Sequence, residues 1–164
     1  MLGTILEKVS KKSYERTVQD QILSPLKMSA STFSTVRSSN EAGLYNQQGQ
    51  IQTPLLLNRL NPAGGIKSNA VDLIVYLKAL INNPEFAAAK RIIEQTYYED
   101  PNRKIGLGWE IGPHYLQKDG DTFGNSSLMR YSNESQIGIV VLSNHQNGQL
   151  VRDIMDGIYG QLTK

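Results

Sequence analysis

The chain contains no cysteine among its 164 residues. That excludes disulfides, thiolate metal sites and a cysteine nucleophile, and it leaves the redox compartment open. Histidine is scarce as well: His114 and His145 are the only two and stand far apart, so a metal site would need carboxylates from unrelated segments, and neither a metal nor a cofactor is expected. No run of eighteen apolar residues exists, so no membrane-spanning helix is expected. A basic region followed by an apolar stretch and a small-residue cleavage site is missing from the N-terminus. Seventeen basic and fifteen acidic residues leave a net charge of +2, and they are scattered rather than gathered into a stripe, which argues against a nucleic-acid partner.

What is present suits one globular unit: 39% hydrophobic residues and 20% charge over a length that supports one real core and is too short for two. Leu2, Ile5, Leu6 and Val9 fall on one face of a short helix that starts without a capping residue, as if the chain were entered in mid-element, so a fragment is expected. Ser13 caps a second helix running to about Leu23, with Tyr14, Val18, Ile22 and Leu23 inside. Pro25 ends it, and five of the seven residues after Met28 are Ser or Thr, an irregular connection. From Arg37 to Leu60 no period is sustained, apart from a short strand around Leu44-Tyr45.

The segment 61–66 has the composition of a tight turn, after which Ser68 is the expected cap of a helix burying Val71, Ile74, Val75, Leu77, Leu80 and Ile81. Asn83-Pro84 signals another helix to about Tyr97. Four strand-like runs follow, 106–111, 114–118, 127–131 and 136–143, with a hairpin at Asn133-Glu134-Ser135, and they predict an antiparallel meander of at least three strands. A last helix, Gln149 to Leu162, presents Leu150, Ile154, Ile158 and Leu162 at helical spacing to cover one sheet face. The fold class is therefore α+β, a helical region over 1–100 joined to sheet and helix over 101–164.

One stretch stands out, Gln117 to Ser127, which interrupts two strand runs with polar and glycine residues. A lysine at a strand end followed by glycine lines a cleft or is merely solvated in a glycine-rich loop. Trp109 reads as core; His114 and His145 read as surface.

The order of the pieces carries a resemblance. Leu2-Gly3-x-Ile5-Leu6 with Pro25-Leu26-x-Met28, then Asn61-Pro62-Ala63-Gly64-Gly65-Ile66-x-Ser68-x-x-x-Asp72-Leu73, Gly106-Leu107-Gly108-Trp109, Lys118-x-Gly120-x-Thr122-x-Gly124-x-Ser126-Ser127 and the run 138–144 resemble the C-terminal half of the serine β-lactamase-like family. That family groups class C β-lactamases, penicillin-binding DD-peptidases and related esterases. The resemblance implies acyl transfer on a β-lactam, a D-Ala-D-Ala peptide or a carboxylic ester. In that chemistry a Ser-x-x-Lys nucleophile and a Tyr-x-Asn motif face a Lys-Thr-Gly-like strand. A serine hydroxyl needs an adjacent base to attack, and the oxyanion needs fixed N–H donors.

Only the third motif carries over. Lys118 is implied to supply positive charge, Gly120 close approach, and the Asp121 backbone N–H an oxyanion donor; Asp119 and Thr122 are implied on the substrate side. Asp119 departs from the family's small residue, and a carboxylate in the cleft disfavours anionic substrates in favour of neutral esters or amides, unless it faces solvent or pairs with Lys118. Ser24-Pro25-Leu26-Lys27 satisfies Ser-x-x-Lys literally but aligns with the family's Pro-Leu-Gly-Met turn, and Tyr131-Ser132-Asn133 falls at a hairpin. The family's own Tyr-x-Asn sits a few residues ahead of the first helix, so this chain is expected to be inert alone. Its partners would be a small-molecule or peptide substrate in the parent enzyme, together with self-association or a complementing N-terminal half. A non-catalytic binding or assembly module on the same fold is the other reading. Members are often exported to the cell envelope or periplasm, and this chain carries no signal that assigns a location.

Overall fold

The computed structural model describes residues 1–164. Two helices open the chain, α1 (Leu2–Ser10) and α2 (Tyr14–Val18), the second capped by Ser13, whose side chain accepts from the Arg16 N–H. The expected continuation to Leu23 is a π-helical turn, Gln19–Leu23, which drops Leu23 into the core at 1% exposure. A ribbon of β1 (Leu44–Tyr45) and β2 (Ile51–Gln52) breaks the long loop, and the expected turn before the next helix is a 3-10 segment, Asn58–Ala63.

Helix α3 (Ala70–Asn82) is capped by Asn69 rather than Ser68: the Asn69 side chain accepts from the Asp72 N–H at 2.9 Å. Ser68 instead pairs with the Ser31 hydroxyl at 2.7 Å, and buried Asp72 accepts from the Ala30 N–H and Ser31 hydroxyl, tying the serine-rich connection to α3. The next helix is shorter than its periodicity suggests. A 3-10 turn, Pro84–Phe86, leads into α4 (Ala87–Glu94), and Tyr97 lies outside it.

Six strands then form one antiparallel sheet in chain order: β3 (Tyr98–Asp100), β4 (Arg103–Ile105), β5 (Glu110–Ile111), β6 (Leu116–Asp121), β7 (Ser126–Ser132) and β8 (Ile137–Ser143). The sheet begins earlier than expected, because the edge strand β3 and its neighbour β4 are mostly exposed and charge-bearing, without an apolar signature. The interruption expected over Gln117–Ser127 is also corrected. Strand β6 runs through Lys118, Asp119 and Gly120 to Asp121, and only residues 122–125 form the turn.

Both sheet faces are covered. On one, Leu128, Ile139 and Val141 pack against Val151 and Met155 of α5 (Gly148–Leu162). On the other, Tyr131 and Trp109 pack against Leu77 and Leu80 of α3, the two aromatic rings edge-to-face with centroids 5.3 Å apart. The residues of α5 that meet the sheet are thus Val151 and Met155, whereas the stripe of Leu150, Ile154, Ile158 and Leu162 stays 41% to 57% exposed. Helical spacing reports an apolar stripe without saying which of two neighbouring stripes turns inward.

Gly106, in the link from β4 to β5, lies tight against the end of α4. A Cβ built on Gly106 would lie 2.0 Å from the Ile93 carbonyl oxygen, a backbone atom that cannot swing aside. Gly106→Ala is expected to destabilise the protein by about 1–3 kcal/mol through forced backbone displacement, read as a lowered urea midpoint at unchanged slope.

Candidate functional site

The site is an open strand edge. Strand β5 pairs with β6 only at Glu110–Gln117 and Ile111–Leu116, so beyond Gln117 the outer side of β6 has no partner strand. Which backbone groups face that gap follows from strand parity. The Thr122 N–H donates to the Asn125 carbonyl at 3.0 Å and the Ser127 hydroxyl donates to the Gly120 carbonyl at 3.3 Å, so the even-numbered residues address β7. The Tyr115 carbonyl accepts from the Gly112 N–H on the β5 side at 2.8 Å, so the odd-numbered ones address the other edge. The N–H and C=O of Asp119 and Asp121 therefore point into the unpaired edge.

Side chains alternate across the sheet in the same rhythm. Lys118 and Gly120 pair with Met129 and Ser127 and lie on the α3 face, whereas Asp119 and Asp121 pair with Leu128 and Ser126 and lie on the α5 face. Lys118 curls round the edge so that its ammonium donates to the Asp119 carbonyl at 2.5 Å and sits 3.6 Å from the Asp119 carboxylate. That carboxylate also accepts a hydrogen bond from Arg152 of α5 and is an ion pair with it. Both Asp119 and Arg152 side chains are 39% exposed, so solvent screens the pair.

The remaining candidates hold the strand in place. Asp121 accepts from the Ser126 hydroxyl, which in turn accepts from the Asn147 N–H at 2.8 Å, at the start of α5. A carboxylate is favourable near a helix N-terminus, and Gly148 permits the approach, since a Cβ there would lie 2.6 Å from Asp121 Oδ2. The Thr122 hydroxyl donates to Asn125 Oδ1 at 2.8 Å within the turn. One residue ahead of Lys118, Gln117 accepts two hydrogen bonds from the buried Arg130 guanidinium, at 3.1 and 2.7 Å, and donates to Glu110 at 3.0 Å. Arg130 lies 3.9 Å from the Tyr115 ring centroid and bonds Asp156 of α5 at 2.7 Å, locking sheet and helix together where the open edge begins.

A groove of about 450 Å³ follows this edge, lined by Gly108, Trp109, Glu110, Lys118, Asp119 and Arg152 among others. Trp109 is core, 6% exposed, and also lines the groove. Arg152 is the residue that sequence reasoning missed. Its signal is modest: it is the only cation of α5, and it meets Asp119 from 33 positions away.

The literal motif matches lie elsewhere. Ser24 accepts from Gln19 Nε2 at the end of the π-helical turn, and Lys27 follows in a left-handed conformation at φ 56°. Tyr131 is fully buried, its hydroxyl 3.4 Å from Glu94, and burial first, then the Glu94 charge, pushes its pKa upward. Asn133 donates to the same Glu94 carboxylate. His114 is exposed beside Glu134 at 3.1 Å; half-buried His145 forms a parallel bridge with Tyr45. No serine or threonine hydroxyl hydrogen-bonds a lysine amine or a histidine ring anywhere in the chain.

An antiparallel sheet with helices on both faces and an open, lysine-bearing strand edge is the α+β arrangement expected of the β-lactamase and penicillin-binding class. The chain belongs to the beta-lactamase family, whose model, described as Beta-lactamase, matches residues 1–158. It is 26% identical over 176 residues to Protein flp of Staphylococcus aureus (strain MW2), an alignment covering 99% of this chain and 35% of that protein. Among solved structures it is similar to the octameric penicillin-binding protein homologue from Pyrococcus abyssi, with TM-score 0.82 and 26% identity over 97% of this chain and 40% of that one. A class C beta-lactamase shares the fold at TM-score 0.81 and 22% identity, over 93% of this chain and 52% of that one. The chain spans 43% and 35% of the length of the first two curated relatives it matches.

Proposed function

We propose that this chain is the Lys118-bearing wall of a serine acyl-transfer hydrolase and is inert or nearly so by itself. The observation that carries this reading is the open edge of β6, where the outward N–H and C=O of Asp119 and Asp121 stand beside the Lys118 ammonium. Such an edge holds an extended amide or ester by main-chain hydrogen bonds, as an added strand would be held. The Asp121 N–H is the oxyanion donor, Gly120 leaves the approach clear, and Lys118 supplies positive charge beside the developing oxyanion. Thr122 keeps the turn closed behind them. Family membership supports the reaction class, and the absence of any hydroxyl on a lysine or histidine base supports the need for a nucleophile from a complementing half.

The substrate is a small molecule or peptide bearing an acyl group. Because Lys118 and Arg152 both pair with the Asp119 carboxylate, its charge is compensated and its repulsion of an anionic substrate is relieved, so neutral esters and amides and carboxylate-bearing β-lactams or peptides all remain compatible with the groove. The test is complementation: a nucleophile-bearing N-terminal half of the family, with its Ser-x-x-Lys and Tyr-x-Asn, is mixed with this chain and p-nitrophenyl esters or a fluorescent penicillin are supplied. Turnover that needs both pieces supports the reading. Folded, associated pieces without turnover would leave a binding or assembly module in its place.

A further inference from the structure

Glu110 is the one charged residue of the groove beside β6 that has no counter-ion. Arg103 pairs with Asp100 at 3.3 Å, and Lys118 and Arg152 share the Asp119 carboxylate. The Glu110 carboxylate accepts a single hydrogen bond, from the neutral Gln117 amide at 3.0 Å, and that bond goes to Oε2. Gln117 is itself fixed. It is 5% exposed, and its oxygen accepts two N–H groups of the Arg130 guanidinium, which is 4% exposed, stacked on Tyr115 and anchored to Asp156 of α5. With its oxygen committed to Arg130, the amide can offer Glu110 only its NH2, so its orientation is set. A buried, bonded pair thus holds a half-buried carboxylate against the groove, and Oε1 of that carboxylate accepts nothing from the protein.

We propose that Glu110 receives a cationic group of the substrate, an ammonium or guanidinium, and so selects substrates that carry positive charge at one end. The proposal rests on the reading of the β6 edge as the substrate's edge, and it adds where along that edge the charge belongs. Glu110 faces Gln117 across the strand pair, on the same side of the sheet as Asp119 and Asp121. Successive residues on one face of a strand are about 7 Å apart, so the Asp121 N–H stands about 14 Å along the strand from the Glu110–Gln117 pair. An extended peptide spans that distance with about four residues. The substrate class is therefore an extended chain laid along the open edge, with its reacting carbonyl at Asp121 and its cation at Glu110. Asp119 is the poorer receiver, because Lys118 and Arg152 already compensate its charge, whereas Glu110 has a charge-assisted hydrogen bond still to gain.

Tetraglycine amide is the probe, since its terminal ammonium and last carbonyl are about 13 Å apart when extended, and N-acetyl-tetraglycine amide has the same backbone without the charge. Calorimetric titration of the unaltered chain is expected to show the ammonium peptide binding at least about tenfold tighter than the acetylated one. Added salt shrinks that difference. Glu110→Gln, which keeps an acceptor for the Gln117 amide, erases it. Trp109 is the only tryptophan and lines the same groove, so its indole NMR signal moves as the peptide binds. The two peptides are compared on the unaltered chain, so that comparison stands whether or not the variant folds. Equal affinities, binding of neither peptide, an unmoved Trp109 signal, or a preference that survives Glu110→Gln would overturn the assignment. Halves that assemble without turnover would remove the acyl-transfer reading and leave this preference in place; equal affinities beside turnover would do the reverse.

Discussion

Lys118→Ala is expected to lower kcat/KM of the complemented protein toward a p-nitrophenyl ester by about a hundredfold or more while leaving the unfolding midpoint of the chain unchanged. The two halves of that expectation have separate causes. Lys118 is 49% exposed at the side chain and touches only the neighbouring Asp119, so little folding energy depends on it. In an assembled, water-poor cleft the same ammonium would sit against developing negative charge, where a fixed cation is worth far more than at a solvated surface. Steady-state kinetics on the complemented pair checks the first half, and a denaturant titration of the chain alone checks the second. A lysine that only solvates the sheet edge would leave turnover intact.

Tyr131→Ala is expected to cost about 3–5 kcal/mol, the range for deleting a large buried aromatic. Tyr131 has 0% exposure and lies at the centre of the α3-side core, edge-to-face with Trp109 and against Leu77 and Leu80. Its loss would leave a cavity beneath α3 and strip Trp109 of its partner ring. For a chain of this length the thermal midpoint falls by about 10 °C. Tyr131→Phe keeps the ring and gives up only the long 3.4 Å contact to Glu94, so it is expected to cost about 1 kcal/mol. Differential scanning calorimetry of the two variants separates packing from polarity. Equal losses would place the stability in the Glu94 cluster instead.

Much of the architecture is legible in the residues, for identifiable reasons. Helix α3 and strand β8 announce themselves because their apolar residues have both period and length. Strands β3 and β4 do not, since Tyr98-Glu99-Asp100 and Arg103-Lys104-Ile105 are exposed and stabilised by their hairpin partner and surface ion pairs. Two adjacent residues competent to cap α3, Ser68 and Asn69, cannot be ranked by type; the pairing of Ser68 with Ser31, 37 positions away, decides it. In the same way the two stripes of α5 look alike until the sheet chooses Val151 and Met155.

The site is legible in part. Lys118 and Gly120 stand out by resemblance, and strand parity then gives them one face and turns the Asp121 N–H to the open edge. The pairing of Asp119 with Lys118 is one of the settings the sequence offers, whereas its pairing with Arg152 is not, because the fold rather than the local sequence brings that residue to it.

Intact-mass measurement of this chain after exposure to a fluorescent penicillin and to an activated ester tests the account most directly. The expected result is an unmodified mass for the chain alone, with an acyl adduct appearing only after the nucleophile-bearing half is added and then only on that half. An adduct on the isolated chain, mapped to Ser24 and lost in Ser24→Ala, would contradict it.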